Sequence, residues 1–341
     1  MRIAVTGSIA TDHLATFPGR FTDQLIEGRL DRVSLSFLVD ELHVRRGGTA
    51  ANIAFGLGLL GLAPLLVGAV GPDFDEYGAW LEEHGVDTAH VRVSSTRQTA
   101  RFMCTTDEDQ NQIASFYAGA MAEAPLIDLA QVSGRGGRID LALISPNDPA
   151  AMVRHTEQCR ELGIPFVCDP SQQLARLGRE EVRRLVNGAR WLFTNEYEAA
   201  MLLDTSGWTR QEVLGRVGAW IITRGADGVL VDAAGTGPAA FPAVPASRAA
   251  DPTGVGDAFR AGFLAACAWG LPLHAAVALG CALATTALEA VGPQQYEASL
   301  PDLLGRVEAV YGDPVAALLV PHLTGRVPVT TGQVLMAGGD R

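Results

Sequence analysis

Strand-like and helix-like segments alternate along most of this chain, and that alternation limits its fold more than any other feature. Apolar runs at 3–5, 65–70, 141–144, 165–168, 191–194, 219–223 and 229–231 are separated by helical patterns at 49–60, 74–84, 150–162, 180–187, 196–203, 257–269 and 273–290. Helices between strands return the chain across one sheet, so the rhythm predicts a doubly wound, mainly parallel α/β sheet with helices on both faces. Two segments break the rhythm. Residues 17–45 hold strand-like stretches at 33–36 and 41–45 without a helix, and 99–105 and 112–116 flank the polar turn 107–111, which reads as a hairpin. Such inserts predict a small second sheet. The expected division is a large domain of 1–12, 49–96 and 119–320, a small β lid of 13–48 and 97–118, and an irregular tail at 321–341. A chain of 341 residues can bury cores of that extent.

Charge and composition exclude several function classes. The formal net charge is −12, which argues against a nucleic-acid partner. All 26 basic residues are arginine. Without lysine there is no P-loop lysine and no Schiff-base chemistry, so a bound phosphate would be held by backbone N–H groups, arginine and metal. Cys104, Cys159, Cys168, Cys267 and Cys281 form no C-x-x-C pair, and no charged-then-apolar leader precedes the first strand-like run. Reduced thiols and a cytoplasmic location are expected. The apolar run 275–288 falls short of the ~20 residues that span a membrane.

The segment Asp251-Pro252-Thr253-Gly254-Val255-Gly256-Asp257-Ala258-Phe259 runs from small residues into an apolar helical stretch. Backbone N–H groups at a helix start form an anion-binding concavity. Asp257 at that junction would be held beside the anion, an arrangement suited to passing a phosphoryl group to a hydroxyl whose proton the carboxylate accepts. An Asx turn capping a helix is the plain alternative. A carboxylate at a helix N-terminus is expected to stay ionised at pH 7.

Other segments offer groups of the same kind. Gly47-Gly48-Thr49-Ala50-Ala51-Asn52 opens a helical stretch, where glycine permits close backbone approach and Asn52 both donates and accepts; a simple helix start is the alternative. Asp12, after the first strand-like run, lies where open α/β sheets place ligands, and a carboxylate there can accept from two neighbouring hydroxyls. Phe102 and Phe116 sit evenly about residue 109, so they are expected as cross-strand neighbours able to sandwich a flat ring or, equally, to pack the lid. Gln112 on the same hairpin would reach a polar edge of such a ligand. Asn195 and Glu198 share one face of a helix start, where capping is the plain reading. The turn Thr223-Arg224-Gly225-Ala226-Asp227-Gly228 joins two strand-like runs.

The Asp251–Asp257 motif resembles the second signature of the ribokinase-like (PfkB) carbohydrate kinases, with Pro252 and Val255 in place of the usual Thr and Ala. Gly47-Gly48 with Asn52 resembles the first signature, Asn195-x-x-Glu198 the N-x-x-E element, and Thr223 to Gly228 the nucleotide turn. Asp169-Pro170-Ser171-Gln172-Gln173-Leu174-Ala175-Arg176, with stretches 4–14, 33–40 and 112–117, is similar to the actinobacterial type of adenosine kinase within that family, and the likeness covers nearly all but the tail. The resemblance implies a ribokinase-like fold with a β lid over the substrate, often paired with a second lid in a homodimer. It implies transfer of the ATP γ-phosphate to the 5′-hydroxyl of adenosine, with Asp257 as base and the Gly254, Val255, Gly256 and Asp257 amides as anion hole. Ser8, Asp12, Ser36, Gly47, Gly48, Asn52, Phe102, Gln112, Phe116, Gln172 and Gln173 would bind the nucleoside. Asn195, Thr223, Gly225, Gly228, Gly254 and Gly256 would bind ATP, Glu198 would act on Mg²⁺ through water, and Asp251 and Thr253 would border a K⁺ site. Arg176 is a candidate for stabilising the transferring group, or a solvated helix residue.

Rival readings stay open at this point. A kinase for free ribose or fructose, or for another nucleoside, would share the motifs. A ligand sensor on the same fold is disfavoured by Asp257, Asn195 and Glu198, and a dinucleotide dehydrogenase by the absence of G-x-G-x-x-G after the first strand-like run.

Overall fold

A computed structural model describes residues 1–25 and 36–326. Its main sheet runs in the order Ala239–Phe241, Val229–Asp232, Ala219–Thr223, Trp191–Asn195, Phe166–Cys168, Leu141–Ile144, Ile3–Thr6, Leu65–Val67. The strands are parallel from Leu65–Val67 to Ala219–Thr223, and the last two pair antiparallel. Alternate residues along each strand face opposite sides. Ile3, Val5, Leu143, Val167, Phe193 and Ile221 pack into one core with the helices Thr49–Leu59, Val255–Ala268 and Leu273–Leu288. Ala4, Ala142, Ile144, Phe166, Leu192 and Trp220 pack into the other with Pro149–Glu161, Arg179–Val186 and Glu196–Ser206. Both faces of the strands are apolar, so both must be covered, and this makes the runs legible as buried parallel strands.

A second sheet has the order Glu41–Gly47, Ala10–Thr16, Ala100–Thr106, Gln112–Tyr117. It starts at Ala10, so Asp12 stands inside one of its strands and not at the carboxyl end of the first strand of the main sheet. Phe102 is opposite Phe116, as their spacing predicts, and one row crosses the sheet: Arg45, Asp12, Phe102, Phe116. The strand expected at 33–36 lies mostly outside the described residues; Ser36 itself is exposed in irregular chain. The tail expected to be irregular from 321 begins within the helix Asp313–Leu323, and 327–341 lie outside the described residues. Among the described residues no helix is long and apolar enough to cross a membrane.

One helix crossing positions the functional groups. Thr49–Leu59 meets Val255–Ala268 at Gly56, where an added Cβ would lie 2.7 Å from the Ala261 Cβ. Only glycine permits that approach. One turn earlier on each helix, Asn52 and Asp257 are brought face to face. The aromatic cluster beneath, Phe263 against Trp191 and Phe193 edge-to-face, fixes the longer helix to the sheet. Replacing the fully buried Phe263 by alanine should therefore cost about 3–5 kcal/mol in urea unfolding; a loss below about 1 kcal/mol would show that this cluster does not anchor the helix.

Candidate active site

Two cavities share one wall, the turn at 252–257. The first, about 460 Å³, is lined by Ser8, Asp12, Gly48, Asn52, Phe102, Phe116, Gln172, Gln173, Arg176, Thr253, Gly254 and Asp257, with Ala10, Thr49, Met121 and Pro146. The second, about 610 Å³, is bordered by Thr223, Gly225, Gly228, Pro252, Val255 and Gly256, with an apolar floor that includes Val244, Phe259 and Leu288. Within six consecutive residues the chain passes from one cavity to the other and back. Gly254 makes this possible: its φ of 77° is left-handed, and a side chain there would press on Pro293 at 2.5 Å. The helix Val255–Ala268 starts at this turn, so its free N–H groups lie where the two cavities meet.

Asp257 projects from the first turn of that helix into the first cavity. Its Oδ2 accepts from Asn52 Nδ2 at 2.8 Å. Asn52 is itself held by Gln294, whose Nε2 donates to Asn52 Oδ1 at 2.9 Å and to the Tyr77 hydroxyl oxygen at 2.6 Å; that hydroxyl in turn donates to the Gly47 carbonyl at 2.9 Å. The chain of bonds fixes which end of the Asn52 amide faces Asp257. Burial pushes the Asp257 carboxyl up to about 7, Arg260 and the Asn52 amide pull it down, and Asp169 and Asp12 push it further up. This runs against the expectation of an ionised group: burial works against the charge that the helix N-terminus favours. Asp12 is likewise raised, to about 6, by burial against the opposing charge of Arg45.

The other expected residues are distributed as follows. Gln173 is 7% exposed, and its Oε1 has no partner in the fold although the residue lines the first cavity. Ser8 lines the same cavity while its hydroxyl oxygen accepts from the Thr49 N–H at 3.0 Å, so it also caps a helix. Gly47 lies behind the wall; Ser36 and Gln112 are exposed and border neither cavity. Arg176 is in the wall of the first cavity. Asn195 and Glu198 border neither and form a reciprocal helix cap, Glu198 N–H to Asn195 Oδ1 and Asn195 N–H to Glu198 Oε2, both at 2.8 Å. Glu198 Oε1 accepts from the Ser171 hydroxyl at 3.1 Å. That leaves acceptor capacity on a half-buried carboxylate, which suits water ligands of a Mg²⁺ ion.

The K⁺ expected at Asp251 and Thr253 does not fit the Asp251 carboxylate. Oδ1 accepts from the Thr253 N–H at 2.9 Å, and Oδ2 from Arg45 Nη1 and the Gly292 N–H, both at 3.0 Å. A guanidinium from the small sheet already supplies the positive charge there. From the sequence, Asp169 is named only within its motif, without a role, and Arg45, Arg260, Tyr77 and Gln294 are not singled out. Arg260 carries a signal: apart from Asp257 it is the one charged residue of a largely apolar helix, and a buried charge must be paired.

Residues 5–299 match the profile of the pfkB family of carbohydrate kinases. The chain is 31% identical over 291 residues to the nucleoside kinase of Methanothermobacter thermautotrophicus, covering 81% of this chain and 89% of that one. It is 28% identical over 250 residues to the nucleoside kinase of Methanocaldococcus jannaschii, covering 73% and 80%. Among solved structures, the Burkholderia thailandensis nucleoside kinase in complex with inosine superposes with a TM-score of 0.79 at 35% identity, over 92% of this chain and 99% of that one; the same protein has been solved with ADP and inosine. The chain belongs to the pfkB family of carbohydrate kinases, and its fold is ribokinase-like. The relatives bear the broader name nucleoside kinase, so the narrower likeness to adenosine kinases is not carried by them.

The half-buried carboxyl at 257 has a consequence for stability. Its folded pKa, about 7, lies above the ordinary 3.8, so the folded chain binds more protons and stability falls as pH rises between those values. Asp257→Asn removes that penalty. The variant should melt on the order of 2–5 °C higher than the parent at pH 8 and show no such gain at pH 4; equal melting temperatures at pH 8 would show that the carboxyl is not desolvated.

Proposed function

We propose that the chain transfers the γ-phosphoryl group of ATP to the 5′-hydroxyl of a nucleoside, with adenosine as the substrate. The observation that carries this reading is the shared wall: a helix N-terminus and one carboxylate stand between the apolar cavity bordered by glycine turns and the cavity that offers two aromatic rings, an unpartnered buried amide and a carboxylate.

The first cavity, with the two rings, suits a base joined to a diol. Phe102 and Phe116 present flat faces across one row of the small sheet, and Asp12 continues that row with an acceptor for two adjacent hydroxyls. Gln173 offers an amide whose buried oxygen gains a partner when a ring amino group enters. A free sugar would leave both the rings and that amide uncovered. The apolar cavity beside Phe259 and Val244 suits the adenine of ATP, with the Gly225 and Gly228 turn along the phosphates.

Asp257 then accepts the hydroxyl proton as that oxygen attacks the γ-phosphorus. Asn52 keeps the accepting oxygen aimed into the cavity, and the N–H groups of Gly254 to Asp257 face the charge that grows on the transferred group. Mg²⁺ would spread phosphate charge, with Glu198 reaching its water shell. Arg176, exposed at the cavity wall, is in place to pair with an entering phosphate. Closure of the small sheet would shed competing water. Leu42 and Val44, 60% and 58% exposed on its outer face beside Met103 and Ile113, would be covered by a second copy of the lid in a homodimer.

A panel of adenosine, inosine, cytidine, ribose and fructose with ATP and Mg²⁺ tests the reading. Adenosine should give the highest kcat/KM, and Asp257→Asn should lower kcat by about 10³-fold with little change in nucleoside affinity. A preference for a free sugar overturns the substrate class, and a fully active Asn variant overturns the base. Because Arg45 already neutralises Asp251, rates in K⁺ and in tetramethylammonium buffers should agree; a several-fold stimulation by K⁺ would place a cation site elsewhere on this turn.

A further inference from the structure

Arg260 is, with Asp257, one of two charged residues in its helix and is 6% exposed. Its guanidinium makes two hydrogen bonds and one close ionic contact. Nη2 donates to Asp169 Oδ1 at 2.7 Å, Nε lies 2.5 Å from Asp169 Oδ2, and Nη1 donates to the Gly256 carbonyl at 2.9 Å. The Phe193 ring lies against it, 5.5 Å from centroid to guanidinium carbon. Asp169 is fully buried at the end of the Phe166–Cys168 strand, and the short helix Ser171–Ala175 just beyond it carries Gln172 and Gln173 to the acceptor cavity. Neither Arg260 nor Asp169 lines either of the two cavities. One planar fork therefore joins the turn that holds the phosphoryl group to the turn that holds the acceptor.

A buried ion pair is a poor means of gaining stability, because desolvation offsets its attraction. Its particular property is geometric: a planar guanidinium tied to a carboxylate by a hydrogen bond and a close ionic contact, and to a carbonyl by a second hydrogen bond, fixes both distance and direction. We propose that Arg260 and Asp169 are positioning residues for phosphoryl transfer, their ion pair setting the spacing between the turn that carries Asp257 and the turn that carries Gln172 and Gln173. This deepens the function proposed above and rests on it.

The pair also acts on the charge of Asp257. That carboxyl is faced by Arg260 from its own helix, by Asn52 and Tyr77 from neighbouring helices, by Asp12 from the small sheet, by Asp169 from the glutamine turn, by Tyr296, and by Arg176 at the cavity wall. Arg260 holds it down and Asp169 pushes it up. Loss of one partner should therefore move its titration in the direction opposite to loss of the other.

The test compares the wild type with R260M/D169L, R260Q, D169N and R260K on the best acceptor of the panel, measuring kcat, KM, melting temperature and the acid limb of kcat/KM. Apolar residues of similar volume commonly replace a buried ion pair without loss of folding, so R260M/D169L should stay folded. Its kcat/KM should fall about 10²-fold, the usual consequence of a misplacement near 1 Å. The acid limb should move to higher pH in R260Q and to lower pH in D169N. A folded R260M/D169L with kcat/KM within about twofold of the wild type overturns the proposal, as do single-variant limbs that stay put or move together. Should the double variant not fold, R260K decides: it keeps the charge but loses the fork, so kcat should drop about tenfold with the acid limb in place, and wild-type kcat overturns the proposal. A wild type that phosphorylates no member of the panel overturns the function and the strut together, whereas variants equal to an active wild type overturn the strut alone.

Discussion

The contact of Gly56 with Ala261 is the constraint from which the site follows. Two helices on the same face of the sheet approach more closely there than any other residue pair of their size would allow, since an added Cβ would come within 2.7 Å of its neighbour. Helical periodicity then sets Asn52 and Asp257, each one turn nearer the N-terminus, at 2.8 Å. A wider crossing would leave Asp257 without its fixed donor and would open the wall between the two cavities. Packing in the core and geometry at the reacting centre are thus one constraint, expressed at successive turns of the same helices.

Charge around that centre is managed without lysine. Three carboxylates, Asp12, Asp169 and Asp257, are raised by burial, and each is restrained by an arginine: Arg45 for the first, Arg260 for the other two. Arginine suits this work because its guanidinium keeps its proton when buried and directs several donors in one plane. Arg45 adds a mechanical link. It comes from the small sheet and reaches Asp251 just before the turn at 252–257, so that sheet is joined by charge to the wall between the two cavities.

Local periodicity carried much of the fold. The strand-like run at 191–194 is apolar from Trp191 to Phe193 and buried at every position because Leu192 and Phe193 point into opposite cores, and no surface strand would read that way. The symmetry of Phe102 and Phe116 about a polar turn set the hairpin register before any coordinates were needed. What escaped was long-range and polar. Arg260 and Asp169 are 91 residues apart and Gln294 is 242 from Asn52, so no spacing rule links them. Asp12 was placed one sheet away from its true position because an apolar run gives a strand's existence more reliably than its end, and here a new strand begins at Ala10 after a short irregular break. The protonation of Asp257 was misjudged for a related reason: helix position can be read from sequence, whereas the depth of burial that outweighs it depends on helices and sheet meeting from distant parts of the chain.

In the proposed transfer that burial would serve the chemistry despite its cost to the fold. An exposed aspartate is a weak base, and a hydroxyl in water holds its proton far more tightly. Raising the carboxyl to about 7 narrows the gap while keeping a large ionised fraction at neutral pH. Complete desolvation would go too far and leave a neutral acid unable to take a proton. Asn52 and Arg260 set the limit, the first by a hydrogen bond that favours the anion and the second by opposite charge. In a loose transfer the hydroxyl gives up its proton late, once the phosphorus has begun to bond to its oxygen and has made it more acidic. A base of moderate strength held at a fixed distance is then sufficient, and fixed distance is what the helix crossing supplies.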